Sequence, residues 1–149
     1  MKKMGWFVFA LVACGNDHPP VQVHRAVATP CAPTPGDSLG ADQCLSDADC
    51  AGGAVCSCAP NTHEWAGQSR NICVPADCHV DGECGPGGAC SPTVSADCGP
   101  FYGIQGYYCH TPVDNCTVDS ECVQGTTHGN CTYAPQTGHW ACSFHFCAG

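Results

Sequence analysis

The sequence predicts a small disulfide-rich fold, mostly loops with short β-hairpins and short helical turns, built as three tandem cysteine-rich units. Three observations predict it. The chain carries 17 cysteines in 149 residues, above the roughly 8–10% that marks a disulfide scaffold in an exported chain. One pattern, C-x-x-D-x-[DE]-C, recurs as CLSDADC from Cys44, CHVDGEC from Cys78 and CTVDSEC from Cys116. Large aliphatics are scarce beyond the first residues: Leu39, Leu45, Ile72 and Ile104, with valines. Burial yields only about 25 cal/mol per Å², against about 1–2 kcal/mol per residue of backbone ordering entropy. Covalent constraints worth about 2–4 kcal/mol each must make up the difference.

The chain opens Met1-Lys2-Lys3, then runs uncharged and largely apolar from Met4 to Ala13. A positive start, an apolar centre and small residues at its end are the layout of a secretory signal. The run falls well short of the ~20 residues that a spanning helix needs, so residues 1–13 read as a signal peptide. Leu11-Val12-Ala13-Cys14 resembles the bacterial lipobox. The resemblance implies a diacylglyceryl group on the Cys14 thiol, cleavage before Cys14 and acylation of the new amine. Several acyl chains hold a protein to a bilayer where one holds it only marginally. Gly15 stands where the enterobacterial pattern sends any residue other than Asp to the outer membrane. Cysteine parity agrees, because 17 is odd and assigning Cys14 to lipid leaves a set that can pair completely.

Residues 14–43 are rich in proline and polar residues, which favours extended, semi-rigid chain. They read as a tether, with Cys31 stapling its end to the folded body. Units 1, 2 and 3 then span 44–77, 78–115 and 116–149. Each opens with two cysteines of the repeat: Cys44 and Cys50, Cys78 and Cys84, Cys116 and Cys122. A third follows at Cys56, Cys90 and Cys131, and a fourth at Cys73, Cys109 and Cys142. Cys31, Cys58, Cys98 and Cys147 are left over. The expectation is two bridges inside each unit and two more among the extras, with the connectivity itself open. Segments 102–109 and 138–142, aromatics beside glycine, read as hairpin arms.

The repeated acids admit two chemistries. Asp47, Asp81 and Asp119 stand where helix N-caps would accept backbone N–H groups. Asp49, Glu83 and Glu121 then lie in the first turn, where the helix dipole favours negative charge. Gly52, Gly85 and Gly125 follow as stops. Alternatively the six acids bind calcium, although each unit offers two carboxylates where calcium takes six to eight oxygens. A partner-docking acidic patch is the third possibility.

CLSDADCAGGAVCSC, from Cys44 to Cys58, resembles the centre of whey-acidic-protein domains, C-x5-C-x5-C-C, and the cysteine-rich region of Dickkopf-type proteins. Cys56-Ser57-Cys58 replaces the adjacent pair. Taken with the lipobox and the proline-rich segment, the chain resembles uncharacterised cysteine-rich lipoproteins of the myxobacterial type. The first likeness implies a protease-inhibitory loop; the last implies no established activity.

Beyond the signal only Arg25 and Arg70 face 13 acids. Such a surface excludes nucleic acid, whose binding rests on Lys and Arg. No C-x-x-C occurs, which argues against structural zinc. No G-x-S-x-G elbow occurs, and His63-Glu64-Trp65-Ala66-Gly67 lacks the second histidine of a zinc protease. The histidines are scattered; His128, His139 and His145 form one conceivable copper or zinc site. Trp65, Phe101, Tyr102, Tyr107, Tyr108 and Trp140 are the aromatics available for packing or contact. The sequence thus reads as a non-enzymatic, cofactor-free protein of the bacterial cell envelope. It is held to the membrane by an N-terminal lipid, on the outer membrane by the Gly15 rule, and presents rigid acidic loops to an extracytoplasmic protein partner. The alternatives are an inhibitor of the whey-acidic-protein kind and a calcium- or metal-binding envelope protein.

Overall fold

A computed structural model describes residues 24–35, 41–59, 70–94 and 103–144. Each unit is one short 3₁₀ turn followed by an antiparallel hairpin. The turns are Asp47–Asp49, Asp81–Cys84 and Asp119–Glu121. Unit 1 pairs β1 (Val55–Ser57) with β2 (Ile72–Val74). Unit 2 pairs β3 (Cys90–Val94) with β4 (Ile104–Cys109). Unit 3 inserts a small hairpin, β5 (Val123–Gln124) with β6 (Thr127–His128), before its main pair, β7 (Asn130–Ala134) and β8 (His139–Ser143). The expected arms in 102–109 and 138–142 thus contain β4 and most of β8. Gly125, read as a helix stop, instead turns the β5–β6 hairpin with φ 64°, whereas Gly85 does end its 3₁₀ turn with φ 76°.

One device closes all three units. The third and fourth cysteines face each other across the hairpin: Cys56 opposite Cys73, Cys90 opposite Cys109, Cys131 opposite Cys142. They do not join each other. Each reaches down to a cysteine that precedes the 3₁₀ turn or stands at its C-terminal end, giving Cys44–Cys56 with Cys50–Cys73, Cys78–Cys90 with Cys84–Cys109, and Cys116–Cys131 with Cys122–Cys142. Their Cα separations run from 5.2 to 5.9 Å, inside the range a disulfide accepts. A pair of bridges therefore clamps one hairpin end to one turn. A seventh bridge, Cys31–Cys58, fastens the N-terminal segment to unit 1. Cys14, Cys98 and Cys147 lie outside the described residues.

Neighbouring units share their cores. Val55 and Val74 of unit 1 pack with Cys78, Cys90, Ile104 and Tyr107 of unit 2. There the Tyr107 N–H donates to Pro75 O at 3.1 Å, and the Asp77 N–H donates to Tyr107 O at 2.9 Å. This approach requires Gly106, whose added Cβ would stand 2.9 Å from Pro75 O and 2.7 Å from the Tyr108 ring. Between units 2 and 3, Tyr108 stacks on Tyr133 with centroids 3.8 Å apart. The Tyr133 N–H donates to Thr93 Oγ1 at 2.9 Å, and Trp140 Nε1–H donates to Cys109 O at 3.3 Å. A third cluster consists of cysteines alone, Cys31, Cys44 and Cys56 with Cys50, Cys58 and Cys73 against them. Among the described residues no helix is long and apolar enough to cross a membrane.

Candidate functional site

The repeated acids divide their work differently from the capping expected of the first in each pair. Asp47, Asp81 and Asp119 do not cap their turns. Each sends Oδ1 across the unit to accept the N–H of the third cysteine: Cys56 at 3.0 Å, Cys90 at 2.9 Å and Cys131 at 2.7 Å. The cause is the disulfide clamp, which brings the hairpin backbone within reach of the turn. Capping falls to the second acid, which reaches back. Asp49 Oδ2 accepts from Leu45 N at 2.9 Å and Ser46 N at 2.8 Å. Glu83 Oε2 accepts from His79 N at 2.6 Å, and Glu121 Oε2 from Thr117 N at 2.6 Å. This is the reciprocal half of a capping box. These N–H bonds favour the ionised form, so Asp49, Glu83 and Glu121 all titrate below their ordinary values.

The result is one exposed carboxylate per unit, held in a fixed position on a cross-linked turn. The six acids do not converge. Among the described residues, the groups of three or more metal-capable side chains are cysteine trios such as Cys44, Cys50 and Cys73, with sulfurs within 4.8 Å of one another. All of these sulfurs belong to disulfides, and it is the thiolate that ligates metal.

Residues 24–35, read from sequence as part of the tether, lie along units 1 and 2. Besides the Cys31–Cys58 bridge, Arg25 makes most of the contacts that seat the N-terminal end of this segment. Its guanidinium makes a bidentate pair with Asp47 (Nη1 to Oδ2 and Nη2 to Oδ1, both 3.0 Å) and also donates to His79 O at 2.9 Å. It sits 5.3 Å from the Tyr107 ring centroid, a cation–π distance. Its own backbone donates to Cys90 O at 2.7 Å and accepts from Asp81 N at 2.8 Å. One residue thereby touches the repeat acid of unit 1 and both the turn and hairpin of unit 2. Burial works against ionisation of Asp47, but the bonds from Arg25 and Cys56 N outweigh it and the carboxyl titrates below its usual value. Burial likewise raises the Tyr107 phenol.

His24 Nδ1 meets Asp81 Oδ2 at 2.6 Å. At the other junction, His110 Nδ1 meets Asp114 Oδ2 at 2.9 Å, and the ring stacks on Trp140 with centroids 4.3 Å apart. Asp114 also accepts the backbone N–H of Thr111 at 2.8 Å and of Trp140 at 3.1 Å. His24, Ser91, His110, Thr117 and Trp140 line one cleft of about 250 Å³.

Sequence reasoning missed His24, Arg25 and His110 as fixed groups. The available signal was Arg25 itself, which with Arg70 makes up the Lys and Arg content beyond Lys3 of an acidic chain. Of the histidine trio, His128 lies on β6 and His139 on β8, where its Nδ1 is 3.3 Å from Thr137 O; His145 lies outside the described residues. Tyr107 and Trp140 are buried and Tyr108 is stacked, so these aromatics pack the body. Trp65, Phe101, Tyr102 and the His63 motif lie outside the described residues. No known protein family, curated protein or solved structure matches the chain.

Proposed function

We propose that this chain is a lipid-anchored protein of the bacterial cell envelope, attached to the outer membrane through Cys14. It presents rigid acidic loops to an extracytoplasmic protein partner. The observation that carries the reading is the array of Asp49, Glu83 and Glu121. Each is exposed, and each is fixed by backbone N–H bonds on a turn that two disulfides clamp. A carboxylate fixed beforehand loses little entropy when it meets a cation, so such loops favour selective binding of a basic surface. The signal layout of residues 1–13 and the Leu11–Cys14 motif supply the anchor, and the disulfides suit an oxidising compartment outside the cytoplasm.

The test is capture from cell-envelope extracts on the immobilised, disulfide-intact protein. One reproducible protein should be retained at low salt and released as salt screens the charges. Repeated capture of nothing, or retention indifferent to salt, contradicts the reading. Metabolic labelling with a radioactive fatty acid tests the anchor separately: label should enter the chain and vanish in Cys14→Ser.

A further inference from the structure

Unit 1 adds a third bridge, Cys31–Cys58, to its two-bridge clamp, and the six cysteines pack as one cluster. Cys31 Sγ lies 3.6 Å from Cys56 Sγ, a sulfur of a different bridge. Cys44, at the other end of that bridge, has its sulfur within 4.8 Å of both sulfurs of Cys50–Cys73. Three bridges thus stand within sulfur-to-sulfur reach. The two ends of Cys31–Cys58 differ in access, since Cys31 is buried at 7% exposure and Cys58 is half-buried. Access decides which sulfur of a bridge a thiolate attacks, so attack falls on Cys58 and expels Cys31.

Opening this bridge does not release Cys31. Its N–H donates to Leu45 O at 2.7 Å, next to Cys44. Asn71, 1% exposed, donates Nδ2–H to Ala32 O at 2.9 Å and accepts the Ala59 N–H on Oδ1 at 2.9 Å. It therefore joins the residues that follow Cys31 and Cys58 without using either sulfur. A Cys31 thiolate so held stays beside Cys56, and a reactant fixed at contact distance outcompetes the same group free in solution. We infer that Cys58 is a modification site for a low-molecular-weight thiol, with Cys56 taking over Cys31. In the first step the external thiolate bonds to Cys58 Sγ, the Cys31–Cys58 bond breaks, and the electron pair leaves on Cys31. In the second, Cys31 bonds to Cys56 Sγ, the Cys44–Cys56 bond breaks, and the Cys44 thiolate takes a proton from water. Two disulfides and one thiol enter, and two disulfides and one thiol emerge, so no oxidant or reductant is consumed. Cys31 exchanges Cys58 for Cys56, which keeps residues 24–35 fastened to unit 1 while Cys58 carries the adduct. The site uses neither the exposed acids nor Cys14.

The test treats the full, disulfide-intact protein with limiting reduced glutathione and quenches with N-ethylmaleimide at mildly acidic pH, where little thiolate remains to exchange. The singly glutathionylated species is isolated by mass and its peptides are sequenced by fragmentation. Glutathione is expected on Cys58, a new Cys31–Cys56 bridge beside it, and maleimide on Cys44 or, after one more exchange, on Cys50 or Cys73. The Cys31–Cys56 bridge should exceed maleimide-labelled Cys31 at least about tenfold, a modest advantage for a neighbouring group. Replacing Cys44 and Cys56 together by alanine removes the relay and should move the maleimide to Cys31. Maleimide on Cys31 of the unaltered protein, with Cys44–Cys56 intact, overturns the inference. So does glutathione on Cys56 or on units 2 and 3 in place of Cys58, or no adduct at all.

Discussion

The first acid of each repeat ties turn to hairpin, and the structure puts a measurable cost on its removal. Asp119→Ala leaves the N–H of Cys131, a residue 3% exposed, without the carboxylate it donates to. The loss should cost about 1–3 kcal/mol, read as a lower midpoint in chemical denaturation with the bridges intact. Asp47 makes the pH dependence testable. Burial works against its ionisation, but the bonds from Arg25 and Cys56 N outweigh that and hold its folded pKa below the ordinary aspartate value, so the unfolded chain takes up the proton first as pH falls. Its stabilisation is therefore complete above the unfolded pKa and is lost as pH drops through the depressed folded pKa. Arg25→Met removes the main partner and should cost about 2–3 kcal/mol at neutral pH. It should also flatten the acid limb of the stability curve, which denaturation from pH 6 down to pH 2 would reveal. Read from sequence, capping belongs to the first acid and a helix-dipole role to the second, whereas the second acid does the capping. The first was misread because the N–H that donates to it, on a cysteine nine residues on or farther, comes within reach only through the disulfides.

At the scale of elements, the hairpins were legible where aromatics and glycine lead into a cysteine, as in 102–109 and 138–142. The 3₁₀ turns were legible from the acid pairs. The facing of third and fourth cysteines was not, because the loops between them differ in length and composition from unit to unit. Nor was the seating of residues 24–35, since proline-rich composition reports local stiffness and says nothing of a guanidinium finding Asp47. The Cys31–Cys58 bridge and the Arg25 contacts hold this segment jointly. Replacing both cysteines by alanine should cost about 2–4 kcal/mol. Hydrogen exchange at the Arg25 and Asp81 amides, which donate to Cys90 O and Arg25 O, should quicken while the amides of β7 and β8 keep their protection. Unchanged exchange at Arg25 and Asp81 would show that the bridge adds nothing to the hold on this end of the segment.

Among the described residues the molecule is a set of small clamps with little apolar surface packed between them. Its clusters rest on few large side chains: Val55, Val74, Ile104 and Tyr107 in one, Trp140 with flanking aromatics in another, and cysteine alone in the third. Shared cores and the Tyr108–Tyr133 stack join units that could not bury enough surface singly. The central claim is that sulfur cross-links, rather than apolar packing, keep this body compact. Small-angle X-ray scattering of the native protein, before and after full reduction with dithiothreitol, tests it most directly. The account predicts that the radius of gyration rises roughly twofold on reduction, towards that of an unfolded chain. A reduced protein as compact as the native one would contradict it.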